Sequence, residues 1–115
     1  MPNRERAKAD VLQGTLDLMV LQTLDTLGAL HGYAIAARLE QVSGGALQLN
    51  MGTLYPALMR LEQRGLVRGN WGTTDSNRQA RFYALTAAGR RQLTKERHAW
   101  VRMAAIMRTL LRSDA

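Results

Sequence analysis

The stretch NMGTLYPALMRLEQRGLV, residues 50–67, decides how the chain is read. Leu54, Leu58 and Leu61 recur at i, i+4 and i+7 with Ala57 beside them, the spacing of one buried helix stripe, and the pattern stops at Gly65. Two residues can begin this helix. Asn50 is a strong N-cap, its side-chain oxygen suited to the free amides of a first turn, and Thr53 is the alternative. The choice matters because of Pro56. Capped by Asn50, the helix has Pro56 as its sixth residue, where the bond to Gly52 is lost and an interior proline costs about 3 kcal/mol against alanine. Capped by Thr53, it has Pro56 in its first turn, where the donor would have no partner anyway.

Around a helix of 3.6 residues per turn, Gly52, Thr53, Pro56, Met59, Arg60 and Gln63 fall opposite the leucines, with Tyr55 on the flank. Few carboxylates lie near the start of that outward face. It suits a helix that enters a major groove by its N-terminal end. Thr53 and Pro56 are then placed for base edges, and Arg60 for a guanine or a phosphate. Tyr55 can give its hydroxyl to a phosphate oxygen, Gly52 permits close backbone approach, and the first-turn amides attract phosphate. An ordinary solvated face explains Arg60 and Gln63 equally well, but gives no reason for a glycine and a proline early in a helix.

The flanking sequence supplies a frame for this helix. Leu16, Met19, Val20, Leu24 and Leu27 predict a first helix over about residues 13–27, widened by Leu18 and Leu21 and ended by Gly28. A short link, 28–31, leads to a second helix in HGYAIAARLEQVS, with Ile35, Leu39 and Val42 inward and Arg38 turned away. ALQL, 46–49, alternates weakly and reads as a short strand. LVRGNW and ARFYAL, separated by the polar GTTDSNRQ, predict a hairpin with a long tip, and Trp71, Phe82 and Tyr83 favour strands. Thr86 can cap a last helix that runs to about Arg112. The expected fold is mainly α with a small β-hairpin, a winged helix-turn-helix plus one long C-terminal helix. It divides into a flexible segment 1–11, a DNA-binding domain 12–86 and a dimerisation helix 87–115.

Charge points the same way. Of a net +7, residues 1–59 carry four basic and five acidic side chains, whereas residues 60–115 carry twelve and four. The positive field of the second half favours a polyanion, nucleic acid first and an anionic membrane surface second. Arg78 and Arg81 lie at or near the hairpin tip, where arginines enter a minor groove or clamp phosphates. A charged edge that discourages strand pairing accounts for either residue alone.

On the last helix Leu93, Trp100 and Met107 are spaced by seven, with Met103 and Leu110 offset by three. This is a seam, either core or dimer contact. A sharper reading has a flat hydrophobic ligand against Trp100 and Met103 at a subunit interface.

Other classes find little support. The apolar run 16–30 is interrupted by Asp17, Gln22, Thr23, Asp25 and Thr26, too polar for a membrane span, and the basic start lacks a signal-peptide core. Without cysteine there are neither disulfides nor thiolate metal sites. A cytoplasmic protein is expected. His31 and His98 lack companions at metal-ligand spacing, and there is no nucleotide-binding glycine loop or nucleophile elbow. No catalytic residue, metal or cofactor is expected. A winged helix serving protein interaction or RNA binding remains the alternative to DNA reading.

Three stretches carry a family resemblance: GTLDLMVLQTL with HGYAIAARL, then GTLYPALMRLEQRGLV, then WGTTDSNRQARFYALTAAGRRQL. Over residues 12–95 the chain resembles the PadR family of bacterial transcriptional regulators, in its short type. The resemblance implies a winged helix-turn-helix homodimer that binds a double-stranded DNA operator, usually as a repressor, in some members released by a small hydrophobic inducer. Carried over by motif, the DNA-contact candidates are Gly52, Thr53, Tyr55, Pro56 and Arg60 in the third helix, with Tyr33 near the start of the second and Arg78 and Arg81 in the wing; the Asn50 cap and Arg38 of the second helix join them as candidates. The implied dimer interface is Leu93, Trp100, Met103, Met107 and Leu110, with Leu16 and Val20 of the first helix against it.

Overall fold

The computed structural model describes residues 2–112, with side chains from Gly14 onward. Four helices, α1 (Pro2–Leu27), α2 (Gly32–Val42), α3 (Met51–Gln63) and α4 (Ala87–Leu110), enclose a small antiparallel sheet of β1 (Leu30–His31), β2 (Val67–Thr73) and β3 (Gln79–Leu85). The strand order is β1-β3-β2. This is the winged helix-turn-helix with a long C-terminal helix that the element order implies. α1 starts upstream of the expected residue 13, and the expectation of a flexible segment over 1–11 falls on residues whose side chains lie outside the described set.

Core formation follows the leucine stripes. Leu54, Ala57, Leu58 and Leu61 of α3 are fully buried together with Leu16, Val20, Leu21 and Leu24 of α1 and Ile35 and Leu39 of α2. Each helix thus places one apolar face on a shared centre, and truncating one of these leucines to alanine costs about 2 to 5 kcal/mol. Leu66, Val67, Tyr83 and Leu93 close the core from the sheet and from the start of α4. Thr86 fixes that start: its hydroxyl accepts from the Gly89 amide at 3.0 Å and donates to the Gly65 carbonyl at 2.7 Å.

Three expectations change. ALQL forms no strand; the third strand is β1 in the link before α2, where Leu30 pairs with Tyr83 and His31 with Phe82. Two residues are too short to alternate, so periodicity could not reveal them. Leu16, Val20 and Leu93, expected at a dimer interface, are 3%, 0% and 1% exposed within the single chain. Their surface is already used in the core of the single chain, which corrects that part of the expected seam. Arg81 does not lie at the hairpin tip: it is inside β3, opposite Trp71.

The two ends of α4 differ. Its first half follows α1, with Arg90 paired to Asp25 at 3.5 Å and Arg97 donating to Gln22 at 2.6 Å. From residue 97 to 112 every residue is exposed except half-buried Ala104. The longest extent is 55 Å and the radius of gyration 15.7 Å, against about 13 Å for a compact chain of this length.

Candidate nucleic-acid interface

The start of α3 is settled by its cap. Asn50 has extended backbone angles, φ −84° and ψ 162°, and its Oδ1 accepts from the Thr53 amide at 2.9 Å. Pro56 is therefore inside the helix, and the bond that residue 56 would donate to the Gly52 carbonyl is absent. A Cβ on Gly52 would stand 3.2 Å from Asn50 Oδ1, so the glycine keeps the cap uncrowded. Gly52, Thr53, Tyr55, Pro56, Met59 and Gln63 all lie on the solvent side, as the helical projection predicts. The first turn carries no acidic residue.

Arg60 shares that face but is not free. Its Nη2 reaches Asp17 Oδ1 of α1 at 3.4 Å, and its side chain is 40% exposed.

The start of α2 sits beside the start of α3. A Cβ on buried Gly32 would stand 2.8 Å from Met51 Cε and 3.5 Å from the Tyr55 ring. This contact places neighbouring Tyr33, 68% exposed, near the start of α3. His31 caps α2 through Nδ1, which accepts from the Ala34 amide at 3.4 Å, and its ring meets Phe82 edge-on at 5.2 Å. The second helix is thereby tied to the wing. Arg38 lies further along α2 and donates to Gln41 at 3.1 Å.

Between β2 and β3 the tip is an ordered turn. The Thr74 amide donates to the Arg78 carbonyl at 2.7 Å, the Arg78 amide donates to the Thr74 hydroxyl at 3.1 Å, and Asn77 takes a left-handed φ of 63°. Such a φ suits asparagine among non-glycine residues. Arg78 is exposed, and among the described residues nothing pairs with its guanidinium. An open groove of about 930 Å³ brings Tyr33 and Ala34 of α2 together with Thr73, Arg78 and Phe82 of the wing.

Arg81 behaves differently, its guanidinium forked onto Glu62 of α3 at 2.8 and 3.2 Å. Beneath it, burial pushes the Tyr83 phenol above its ordinary range, opposed by the Arg81 charge and reinforced by Glu62.

Two residues escaped the sequence reading. Trp71 is 73% exposed on the pleat face it shares with Arg81. Its strand propensity drew attention, but exposure depends on where α3 ends relative to the hairpin. Glu62 was missed because its partner is nineteen residues away; its signal was being the lone carboxylate of α3.

A helix N-terminus free of carboxylates, flanked by an exposed tyrosine and an unpaired wing arginine, defines a winged helix-turn-helix of the nucleic-acid-reading class. The model of the transcriptional regulator PadR-like family matches residues 20–95, and the chain belongs to that family, one of DNA-binding regulators rather than enzymes. The chain is 46% identical over 76 residues to an uncharacterized 37.1 kDa protein in transposon Tn4556 of Streptomyces fradiae, a match covering 66% of this chain and 20% of that protein. It is 40% identical over 60 residues to Transcriptional regulator Rv3488 of Mycobacterium tuberculosis, covering 52% of this chain and 55% of that one. It thus spans about a fifth and about half of these curated relatives.

Among solved structures, a PadR family transcriptional regulator from Eggerthella lenta superposes with TM-score 0.76 at 28% identity, covering 98% of both chains. A transcriptional regulator from Clostridium thermocellum reaches 0.79 at 22% identity over 90% of this chain and 96% of that one, which shows the shared fold. Among the described residues no helix is long and apolar enough to cross a membrane.

Proposed function

We propose that this chain is a cytoplasmic homodimeric repressor that reads a pseudo-palindromic operator with its two α3 helices and flanks each half-site with its wings. The carrying observation is the exposed, carboxylate-free start of α3, with the start of α2 packed against it and lining one groove with the unpaired Arg78 of the wing. Thr53 and Pro56 face base edges, and Tyr55 and Tyr33 face phosphates, with Asn50 and Gly52 shaping the helix end between them. Repression follows from occupying promoter DNA. Arg60 and Arg38 serve the same face from its edge, with Arg60 exchanging Asp17 for DNA when a phosphate or guanine comes within reach.

The second half of α4 supports the dimer. Trp100 and Met103, each 51% exposed, form with Met107 and Leu110 one apolar stripe that stays open among the described residues. A second copy buries it, and the two α3 helices then lie about 34 to 36 Å apart, one turn of DNA. A small hydrophobic inducer wedged between Trp100 and Met103 of the seam would shift this spacing and release the operator.

The test is selection of bound duplexes from genomic fragments, followed by affinity measurement across salt. With three to five phosphates neutralised per subunit, log affinity should fall against log salt with a slope of roughly −5 to −9 per dimer. Salt-independent binding, preference for structured RNA of equal length, or failure to retain any duplex would each refute the reading.

A further inference from the structure

We infer that Glu62 and Arg81 form the joint that sets the angle between wing and recognition helix, so that Arg81 serves DNA reading as a positioning residue and not as a phosphate contact. The inference rests on the DNA reading above.

The joint is built from three elements. Arg81 of β3 sends Nη2 to Glu62 Oε2 at 2.8 Å and Nη1 to Oε1 at 3.2 Å. Two parallel bonds between planar groups fix orientation as well as distance, which a lysine ammonium cannot do. The same carboxylate oxygen accepts from the Gly69 amide of β2 at 3.3 Å, and Arg81 Nη2 returns to the Gly69 carbonyl at 3.4 Å. One carboxylate on α3 thereby holds both strands of the wing.

Gly69 makes the approach possible. A Cβ there would stand 2.9 Å from Arg81 Cζ and Nε, so the guanidinium lies flat on the facing strand only because the position has no side chain. On its other side it lies over the Tyr83 ring, 5.9 Å from the centroid. With its outer nitrogens on one carboxylate, Arg81 has its charge matched and its donors aimed at α3. Arg78, nearer the tip, has neither constraint.

Leverage explains why such a joint matters. Only residues 64–66 connect α3 to β2, and a seven-residue strand is about 23 Å long. A tilt of about 10° at the base displaces the tip by roughly 4 Å, more than a hydrogen bond can stretch. Arg78 reaches the backbone in register with α3 only while the joint holds.

The test uses a duplex selected from randomised DNA by the wild-type protein, with affinities measured across a salt series and folding checked by thermal unfolding. Removing a carboxylate ordinarily favours a polyanion, so Glu62→Gln gives a sign that charge alone does not. The joint requires Glu62→Gln and Arg81→Ala each to weaken binding about two- to fivefold, the reach of one partly exposed ion pair, with an unchanged salt slope and a cooperative unfolding transition lowered by no more than about a few degrees. Arg81→Lys should behave like Arg81→Ala. Tighter binding by Glu62→Gln, or a slope shallower by about 0.9 per subunit in Arg81→Ala, would overturn the joint and make Arg81 a phosphate contact. A wild-type protein that selects no duplex would instead overturn the DNA reading beneath it.

Discussion

Two stretches of helix leave a face uncovered, the first two turns of α3 and the second half of α4. On α3 the open residues are Gly52, Thr53 and Pro56, small or polar, with Tyr55 and its hydroxyl beside them, around a closed leucine stripe. On α4 they are Trp100, Val101, Met103, Ile106, Met107 and Leu110, with no closed stripe behind them. Exposure means different things in the two places. Polar exposure needs no protein to cover it, and with no carboxylate in the first turn it suits a negatively charged groove. Apolar exposure is large enough to favour a partner of its own kind, because each buried aliphatic or aromatic side chain contributes about 1.5 to 3 kcal/mol.

The largest effect should come from α4. Trp100→Glu with Met103→Glu places two carboxylates where the seam would be dry, so sedimentation should show a monomer with an unchanged circular dichroism spectrum. Losing the second half-site should weaken operator binding on the order of 100-fold. A variant that stays dimeric with full affinity breaks the contrast, leaving α4 as bare surface.

On α3 the effect should be smaller and confined to one base. Thr53→Ala should cost about 1 to 3 kcal/mol against the selected operator and little against an operator changed at the base that Thr53 reads. Equal losses on every duplex would mean that Thr53 does not read sequence. Arg78→Ala should act in the opposite manner, weakening all duplexes about fivefold and reducing the salt slope by roughly one per subunit. A loss that depends on sequence would move Arg78 from the backbone to the minor-groove floor.

The same contrast shows what the sequence could disclose. Local devices were legible: the Asn50 and Thr86 caps, the left-handed Gly28 at φ 82° and the inward stripe of α3 all stand where spacing and side-chain chemistry put them. Pairings across long stretches of chain were not. Arg60 finds Asp17 forty-three residues away and Arg81 finds Glu62, and both contacts exist only once α1, α3 and the wing have packed. Periodicity shows that a helix has an apolar stripe but not how much of it the chain's own core covers, which is why Leu93 and Trp100, seven residues apart on one seam, part company at 1% and 51% exposure. For the open side of α3 the helical projection was enough, because solvent exposure there follows directly from where its leucines point.

The smallest binding effect should come from Pro56, and its sign is unusual. Because Asn50 caps the helix, the missing amide of Pro56 leaves the Gly52 carbonyl free on an exposed face. A free acceptor there has partners in a major groove: the amino groups of adenine and cytosine both donate. Pro56→Ala restores the amide, closes that carbonyl into the helix and relieves the ring, so the protein should become more stable by up to about 3 kcal/mol. Operator affinity should fall about threefold, within the reach of one neutral hydrogen bond, and only on duplexes with adenine or cytosine at the base beneath Gly52. Loss of fold cannot produce weaker binding from a more stable protein. Unchanged affinity alongside the higher melting temperature would assign the carbonyl to water and make the proline a tolerated cost.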